Sequence, residues 1–363
     1  MTAARTDWLR RPNRPSGRGI GMRWMDTLAH EAEQRLPAPV LTYFRQGAGA
    51  GLSAAEAEAH WDALRLLPHV LRDVSVVSTG TSVLGSAVDT PVLVAPTTLQ
   101  LAAHEEGEVA MLRGAAAAGS LMCVSSNAGV PFTSLADSGP WWVQAYVLRD
   151  RQLTVELLDR ARQAGAKAVV LTADTPVVGQ KHSTGPGVWE TVPPEHLLAN
   201  VDQQGVEAAQ LEKAADLTPA TIDWLRTTLG LPVVVKGVLR ADDARECVAA
   251  GASAVWVSNH GGRQLDGAIA TARALRPVAE ALAGTDAEIY VDGGIRTGRH
   301  ALTALALGAT AVFVGRPTLW ALTVGGAAGV QRLLTELTAE LAHAMALAGT
   351  PDIPSLTRDL VSG

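Results

Sequence analysis

The apolar positions of this chain follow two alternating patterns. From about residue 90 onward, short runs rich in valine, isoleucine and leucine alternate with Ala/Leu-rich stretches of helical period. The short runs lack the polar alternation of a half-exposed strand, so they read as parallel strands buried on both faces. Eight are predicted, at residues 91–96, 121–126, 142–147, 168–174, 232–237, 254–259, 289–294 and 311–316. Helices are expected between them, at 105–118, 150–164, 219–229, 241–250 and 298–307. Eight strands, each followed by a helix, within about 225 residues is the pattern and size of a (β/α)8 TIM barrel. A doubly wound sheet is the competing topology.

The barrel is expected over residues 81–350, behind an N-terminal helical segment over 25–80. In that segment 25–36 is amphipathic and ends at Pro37, and 56–67 is a second helix candidate. Residues 1–24, with Arg5, Arg10, Arg11, Arg14, Arg18 and Arg23, are expected to form a mobile basic arm. The stretch 180–217, rich in Gly, Pro and Gln, is long for a connection in a compact domain and is expected to be a mobile binding loop. Residues 351–363 are expected to be a tail. Polar residues gather at the predicted strand ends: Thr97, Ser125, Gln144, Tyr146, Asp174, Lys236, His260, Arg263, Asp292 and Arg316. In a barrel these tips converge on one mouth, where such folds place their chemistry.

Composition narrows the possibilities. The 363 residues are 47% hydrophobic, enough for a sizeable core. A formal net charge of −6 leaves no basic surplus to neutralise phosphates, which argues against a nucleic-acid partner. The two cysteines, Cys123 and Cys247, lie in or beside apolar runs and read as free thiols in a reducing cytoplasm. No run approaches the length of a membrane span, no apolar segment follows Arg10-Arg11 as an export signal requires, and the C-terminus is no peroxisomal address. A soluble, cytoplasmic protein without membrane contact is expected.

The most informative motif is Ser258-Asn259-His260-Gly261-Gly262-Arg263-Gln264, at the end of a predicted strand. The glycines allow a sharp turn and close approach to a ligand. The histidine can take a proton near neutral pH, and the arginine can clamp a carboxylate through two hydrogen bonds. The pair suits an acid with a hydroxyl next to its carboxylate. Asp292-Gly293-Gly294-Ile295-Arg296 and Gly315-Arg316, at the last two strand ends, make a phosphate cradle of glycine-freed amides and two arginines. One phosphate fits better than a dinucleotide, since Gly47-Ala48-Gly49-Ala50-Gly51 precedes any strand and reads as loop.

Lys236, after Val233-Val234-Val235, needs a negative partner: a structural carboxylate, a Schiff-base substrate, or an anionic cofactor ring such as a reduced flavin. Asp174 can stabilise a protonated His260, or cap a helix before Thr175-Pro176. Tyr43 and Tyr146 can bond a carboxylate or hydroxyl. Metal and nucleophile chemistry find no support. His30-Glu31 and His104-Glu105 lack the second histidine of a zinc helix, and no Gly-x-Ser-x-Gly elbow occurs.

On these residues the chain resembles the FMN-dependent 2-hydroxy acid oxidase and dehydrogenase family, over roughly residues 30–350. The likeness is carried by Leu36-Pro37 with Tyr43, Ala95-Pro96-Thr97, Ser125-Ser126, Gln144-Ala145-Tyr146, Leu171 to Pro176, Lys236-Gly237, Ser258 to Gln264, Asp292 to Arg296 and Gly315-Arg316-Pro317. The resemblance implies a (β/α)8 barrel with FMN across its mouth. Main chain at Pro96, Thr97 and Thr98 would face the reactive flavin nitrogen. Ser125, Gln144, Tyr146, Thr172, Ser258 and Lys236 would hold the ring system and ribityl chain. Asp292, Gly293, Gly294, Ile295, Arg296, Gly315 and Arg316 would hold the ribityl and phosphate. His260 would be the base, assisted by Asp174, with Arg263, Tyr43 and Tyr146 on the substrate.

Three positions depart from the family pattern. Lys181 stands where a second carboxylate-binding arginine is usual, keeping the charge but losing the planar fork. Thr98 replaces a small residue beside the flavin, and Asn127 replaces a large aromatic at the substrate pocket. What the resemblance implies is oxidation of an (S)-2-hydroxy acid to the 2-oxo acid, with oxygen or another acceptor taking the electrons, in a homo-oligomer, by analogy a tetramer. The alternative is a biosynthetic FMN enzyme acting on an unusual aryl, amine or carrier-bound substrate. A flavin-binding barrel without turnover is a third reading, against which the joint presence of His260, Arg263, Asp174 and Lys236 argues.

Overall fold

The structure is a computed structural model that describes residues 23–182, 187–193, 195–202 and 204–362. Its centre is a closed barrel of eight parallel strands: β1 (Val92–Val94), β2 (Met122–Val124), β3 (Trp141–Ala145), β4 (Val169–Thr172), β5 (Val233–Val238), β6 (Ala254–Val257), β7 (Glu288–Val291) and β8 (Ala311–Val314). Each strand pairs with the next, and β8 closes on β1 through Val312 opposite Val92 and Val314 opposite Val94. The TIM barrel predicted from the alternating runs is therefore the fold, and the doubly wound alternative is excluded by closure.

Side-chain alternation explains why these runs are apolar throughout. Along each strand, successive residues point to opposite faces. Val92, Val94, Val143, Leu171, Val235, Val257, Val291 and Val314 pack outward against the helices, while Leu93, Cys123, Trp142, Val170, Val234, Trp256, Tyr290 and Phe313 fill the interior. The interior layer is aromatic: Trp256 stacks on Phe313 with centroids 3.7 Å apart, and Trp142 lies 5.3 Å from Tyr290. A hairpin, Thr81–Val83 and Ser86–Val88, packs Val83 and Val88 against that interior. The Leu84 amide donates to Glu288 at 2.9 Å, and the Tyr290 hydroxyl donates to the same carboxylate. The barrel is filled, so chemistry is confined to the far mouth.

Eleven helices occur among the described residues. α1 (Trp24–Glu33), α2 (Ala38–Arg45) and α3 (Leu52–Ala63) precede the barrel; α4 (Gly107–Ala117) and α5 (Arg151–Gln163) follow β1 and β3. The short α6 (Glu195–Leu198) lies in the long loop, followed by α7 (Pro219–Leu229), α8 (Ala241–Ala249), α9 (Thr271–Ala281), α10 (Gly298–Ala306) and α11 (Arg316–Ala348). The expectation of a helix after every strand fails at β2, where a single 3-10 turn, Phe132–Leu135, makes the connection. Pro37, expected only to end the first helix, also stands at the N-cap of α2, whose first turn holds Pro39, where proline's fixed φ suits a helix start. The helix expected at 56–67 begins earlier, at Leu52, after Gly51 in the left-handed region. The last helix breaks at Gly325 and Gly326, whose backbone is not helical.

The arm expected over 1–24 lies, apart from Arg23 and Trp24, outside the described residues. Arg23 bonds Asp26 and Glu340. In the segment 180–217, positions 183–186, 194 and 203 lie outside the description, and the remainder forms short turns at Val188–Glu190 and Ala208–Leu211 besides α6. The tail is tied down by Val361–Ser362, which pairs antiparallel with Arg65–Leu66. Among the described residues no helix is long and apolar enough to cross a membrane.

Candidate active site

The strand ends converge on a cavity of about 700 Å³ at the C-terminal mouth of the barrel. β1 delivers Pro96, Thr97 and Thr98 to its wall; β2 delivers Ser125 and Asn127; β3 delivers Gln144 and Tyr146. Thr172 comes from β4, Lys236 from β5, and His260 and Arg263 from the loop after β6. Asp292 to Arg296 follow β7, and Gly315 and Arg316 follow β8. Tyr43 reaches the same cavity from α2, and Lys181 from the loop after β4. Two expected site residues stand behind the wall rather than on it: Asp174 behind His260, and Ser258 behind Lys236.

The wall is ordered by a relay of buried hydrogen bonds. The Gln144 carboxamide oxygen accepts from the Ser126 amide at 3.2 Å and the Ser125 hydroxyl at 3.3 Å, and its nitrogen donates to Thr172 at 2.8 Å. Lys236 donates to the Ser258 hydroxyl at 2.8 Å and lies 3.2 Å from an Asp292 oxygen. Burial alone would lower the Lys236 pKa, but Asp292 and Asp174 outweigh it and hold the ammonium above its ordinary range. Lys236 is a cation under all ordinary conditions. The hydroxyl of Thr98 is turned away to the Asn127 carbonyl at 3.1 Å.

His260 occupies an unusual backbone. Its φ is 59°, and Gly261 and Gly262 follow at 65° and 72°. A non-glycine residue in this region carries strain that the surroundings must hold. Here the Ser258 hydroxyl accepts the His260 amide at 3.1 Å, and the Asn259 side chain accepts the Gly262 amide at 3.1 Å. A Cβ on Gly262 would lie 2.4 Å from the Ala54 nitrogen, so only glycine lets α3 approach the turn. The imidazole Nδ1 lies 3.0 Å from Asp174 Oδ1, and Nε2 has no partner among the described residues. Burial lowers the His260 pKa below its usual value, against the opposing pull of Asp174, while the imidazole and Lys236 hold the Asp174 carboxyl below the usual range despite its burial. The neutral imidazole, with Nδ1–H held by the carboxylate, presents Nε2 as an acceptor. The helix-cap reading of Asp174 falls, since no helix starts there.

Arg263 uses one nitrogen, Nη1, on the carbonyls of Tyr43 at 2.6 Å and Gln46 at 2.9 Å. Its Nε–Nη2 edge, the bidentate fork for a carboxylate, is unengaged among the described residues. Its guanidinium lies 4.7 Å from the centre of the Tyr43 ring, and Tyr43 meets Trp189 edge-on at 5.3 Å. Desolvation raises the pKa of both Tyr43 and Tyr146, so both phenols are donors.

The residues present fit FMN. Asp292 Oδ1 is buried with no partner among the described residues, as an acceptor awaiting a hydroxyl would be. Among the described residues, Arg316 donates Nε to the Phe44 carbonyl and Nη2 to the Gly261 carbonyl, both at 3.0 Å, and keeps Nη1 for another acceptor, while Arg296 donates only to its neighbour Ile295's carbonyl, at 2.8 Å. Among the described residues neither forms an ion pair with a carboxylate, and burial lowers both pKa values, Arg316 to about 10 with help from the neighbouring arginines. Two desolvated guanidiniums beside Gly293, Gly294 and Gly315 make a setting suited to an anion. Gly294 must be glycine, because a Cβ would lie 2.4 Å from the Ala57 carbonyl.

Among the lining residues that sequence reasoning missed are Trp189 and Lys213, both in the long loop. Trp189 is half exposed and sits in no periodic pattern. Lys213 lies in Glu212-Lys213-Ala214, where nothing local sets an inward lysine apart from a solvated one.

Comparison with known proteins identifies the family. The family described as FMN-dependent dehydrogenase matches residues 32–363. The chain is 40% identical to an L-lactate oxidase of Nostoc sp. over 343 residues, 90% of this chain and 94% of that protein. It is 38% identical to 2-hydroxyacid oxidase 1 of Homo sapiens over 349 residues, 91% of this chain and 94% of that protein. A mandelate oxidase solved with (S)-mandelic acid superposes with a TM-score of 0.83 at 35% identity, covering 93% of this chain and 97% of its own. The chain therefore belongs to the FMN-dependent dehydrogenase family, as an FMN-dependent 2-hydroxy acid oxidase or dehydrogenase, an oxidoreductase acting on CH–OH.

Proposed function

We propose that the protein oxidises an (S)-2-hydroxy acid to the 2-oxo acid, with His260 as base and Arg263 as carboxylate anchor. The observation that carries this reading is the pairing of a free imidazole Nε2, backed by Asp174 at 3.0 Å, with an arginine fork three residues away on the same turn. FMN, when bound, would supply the two-electron acceptor for the substrate carbon, with dioxygen as the final oxidant. The protein's own residues do the rest. Arg263 and the phenols of Tyr43 and Tyr146 orient the acid. His260 takes the hydroxyl proton at Nε2 as the carbonyl forms, and Asp174 stabilises the resulting imidazolium. Lys236 sets a fixed positive charge where the cofactor ring is expected. Cleavage of the C–H bond as hydride or as proton asks for the same base.

Under air, the reading predicts one 2-oxo acid and one hydrogen peroxide per hydroxy acid consumed. Consumption without peroxide would remove dioxygen as acceptor, and no 2-oxo acid would remove the reaction itself. Arg263→Ala is expected to raise the apparent KM for a hydroxy acid about 100-fold, the weight of a charge-assisted bidentate pair. Steady-state kinetics check it, and an unchanged KM would place the carboxylate elsewhere.

Asp174→Asn gives the pH test. His260 accepts a proton only when neutral, so the rate falls as pH drops through a His260 pKa that lies below its usual value. The Asp174 charge raises that pKa against burial. Asn at 174 should therefore move the acid limb of the flavin-reduction profile further down while lowering the plateau about 100-fold, because the imidazolium loses its counter-charge. An acid limb that moves up would contradict the pairing.

A further inference from the structure

The cavity carries more positive charge than FMN and a simple hydroxy acid require. Lys181, Lys213, Lys236, Arg263, Arg296 and Arg316 line it, against Asp292 as the lining carboxylate. Asp292 is matched by Lys236 at 3.2 Å. A cofactor phosphate accounts for Arg296 and Arg316, and the hydroxy-acid carboxylate for Arg263. Lys181 and Lys213 are left over.

Their settings differ. Lys181 donates to the carbonyls of Gly179 at 2.9 Å and Arg263 at 3.2 Å, so one N–H remains without an acceptor among the described residues. Lys213 places its ammonium 3.4 Å from the centre of the Tyr146 ring, and among the described residues it has neither a hydrogen-bond acceptor nor a carboxylate partner. It is not there by drift. The Ala214 amide donates to the Val147 carbonyl at 2.8 Å, and the Arg149 amide to the Glu212 carbonyl at 2.8 Å, tying this strip to the end of β3. Glu212 turns outward to Arg149 at 2.8 Å, which sends Lys213 inward. Desolvation, with a contribution from Lys181, presses the Lys213 pKa down to about 8 against the pull of Asp174. A desolvated cation without an anion is unfavourable unless a ligand completes it.

We propose that Lys213, with the remaining N–H of Lys181, binds a second carboxylate of the substrate, so that the preferred substrates are 2-hydroxy dicarboxylic acids. This inference rests on the proposed hydroxy-acid oxidation. Arg263 takes the carboxylate beside the hydroxyl, and the two lysines take the distal one across the Tyr146 face. The lysine at 181 then has a reason: a compact ammonium can serve a carbonyl pair and a ligand oxygen together, whereas a planar guanidinium fixes its donors in one fork.

The test uses the FMN holoenzyme and equilibrium binding of products, read as a perturbation of the flavin visible spectrum. 2-Oxoglutarate is compared with 2-oxobutyrate, and Lys213→Met and Lys213→Arg are each compared with the wild type. The dicarboxylate should bind the wild type at least tenfold more tightly, the order expected for one added charge pair in a desolvated site. Lys213→Met should abolish that ratio, and Lys213→Arg should keep most of it. Equal binding of the two acids to the wild type, a ratio that survives Lys213→Met, or tighter binding of benzoylformate than of either would overturn the inference. Anaerobic flavin reduction by (S)-2-hydroxyglutarate and (S)-2-hydroxybutyrate separates the two levels. If neither these acids nor any other 2-hydroxy acid reduces the flavin, the proposed reaction falls, and the Lys213-dependent binding ratio still decides the subsite.

Discussion

His260→Ala should lower the rate of anaerobic flavin reduction by an (S)-2-hydroxy acid about 10³-fold or more, while the protein stays yellow. The expectation follows from the geometry of one ring. Nδ1 is committed to Asp174 at 3.0 Å, and Nε2 faces the cavity without a partner among the described residues. Deleting the imidazole removes the proton acceptor and strands the Asp174 charge, whose Oδ2 has no partner among the described residues. The cofactor contacts expected from Gln144, Lys236 and Arg296 do not pass through His260, so FMN content should be kept. Stopped-flow absorbance on the variant measures both. A variant that reduces its flavin at the wild-type rate would take the base assignment away from His260.

Lys236→Met should cost the protein both cofactor and stability. Lys236 and Asp292 are almost completely buried, at 4% and 7% exposure. Removing the ammonium leaves the Asp292 carboxylate buried without its cation, a change worth about 3–5 kcal/mol. A loss of that size should lower the melting temperature by roughly ten degrees for a domain of this size. The pale product should bind added FMN far more weakly, because the fixed charge expected to hold the ring is gone. Thermal denaturation with and without FMN reads the two effects separately. A variant with unchanged melting and full flavin would mean that Lys236 is neither the partner of Asp292 nor part of the cofactor site.

The fold was legible because the barrel strands are buried on both faces. Runs such as Val233-Val234-Val235 and Ala254-Val255-Trp256-Val257 carry no polar alternation, and that is what filling both the interior and the helical layer demands. The mouth was legible for a related reason. Once eight strand ends are placed, their terminal polar residues must meet, so His260, Arg263, Lys236 and Asp292 could be grouped before any distance was known. The ordering of that group was not legible. That Asp174 and Ser258 stand behind the wall depends on side-chain direction, which sequence spacing does not give. The 3-10 turn after β2 was missed because the segment from Pro131 to Leu135 has too few residues of helical period to argue either way. Lys213 was missed because its inward direction comes from a backbone tie to β3, a contact between distant parts of the chain. Loops reveal their chemistry only when the scaffold that pins them is known.

The central claim is tested most directly by the visible spectrum of the purified, oxygen-free protein as (S)-2-hydroxy acids are added. Rapid loss of the yellow flavin absorption with at least one of them, and recovery of the 2-oxo acid in equal amount, is the predicted result. A protein that binds FMN and stays yellow with every 2-hydroxy acid would contradict the account.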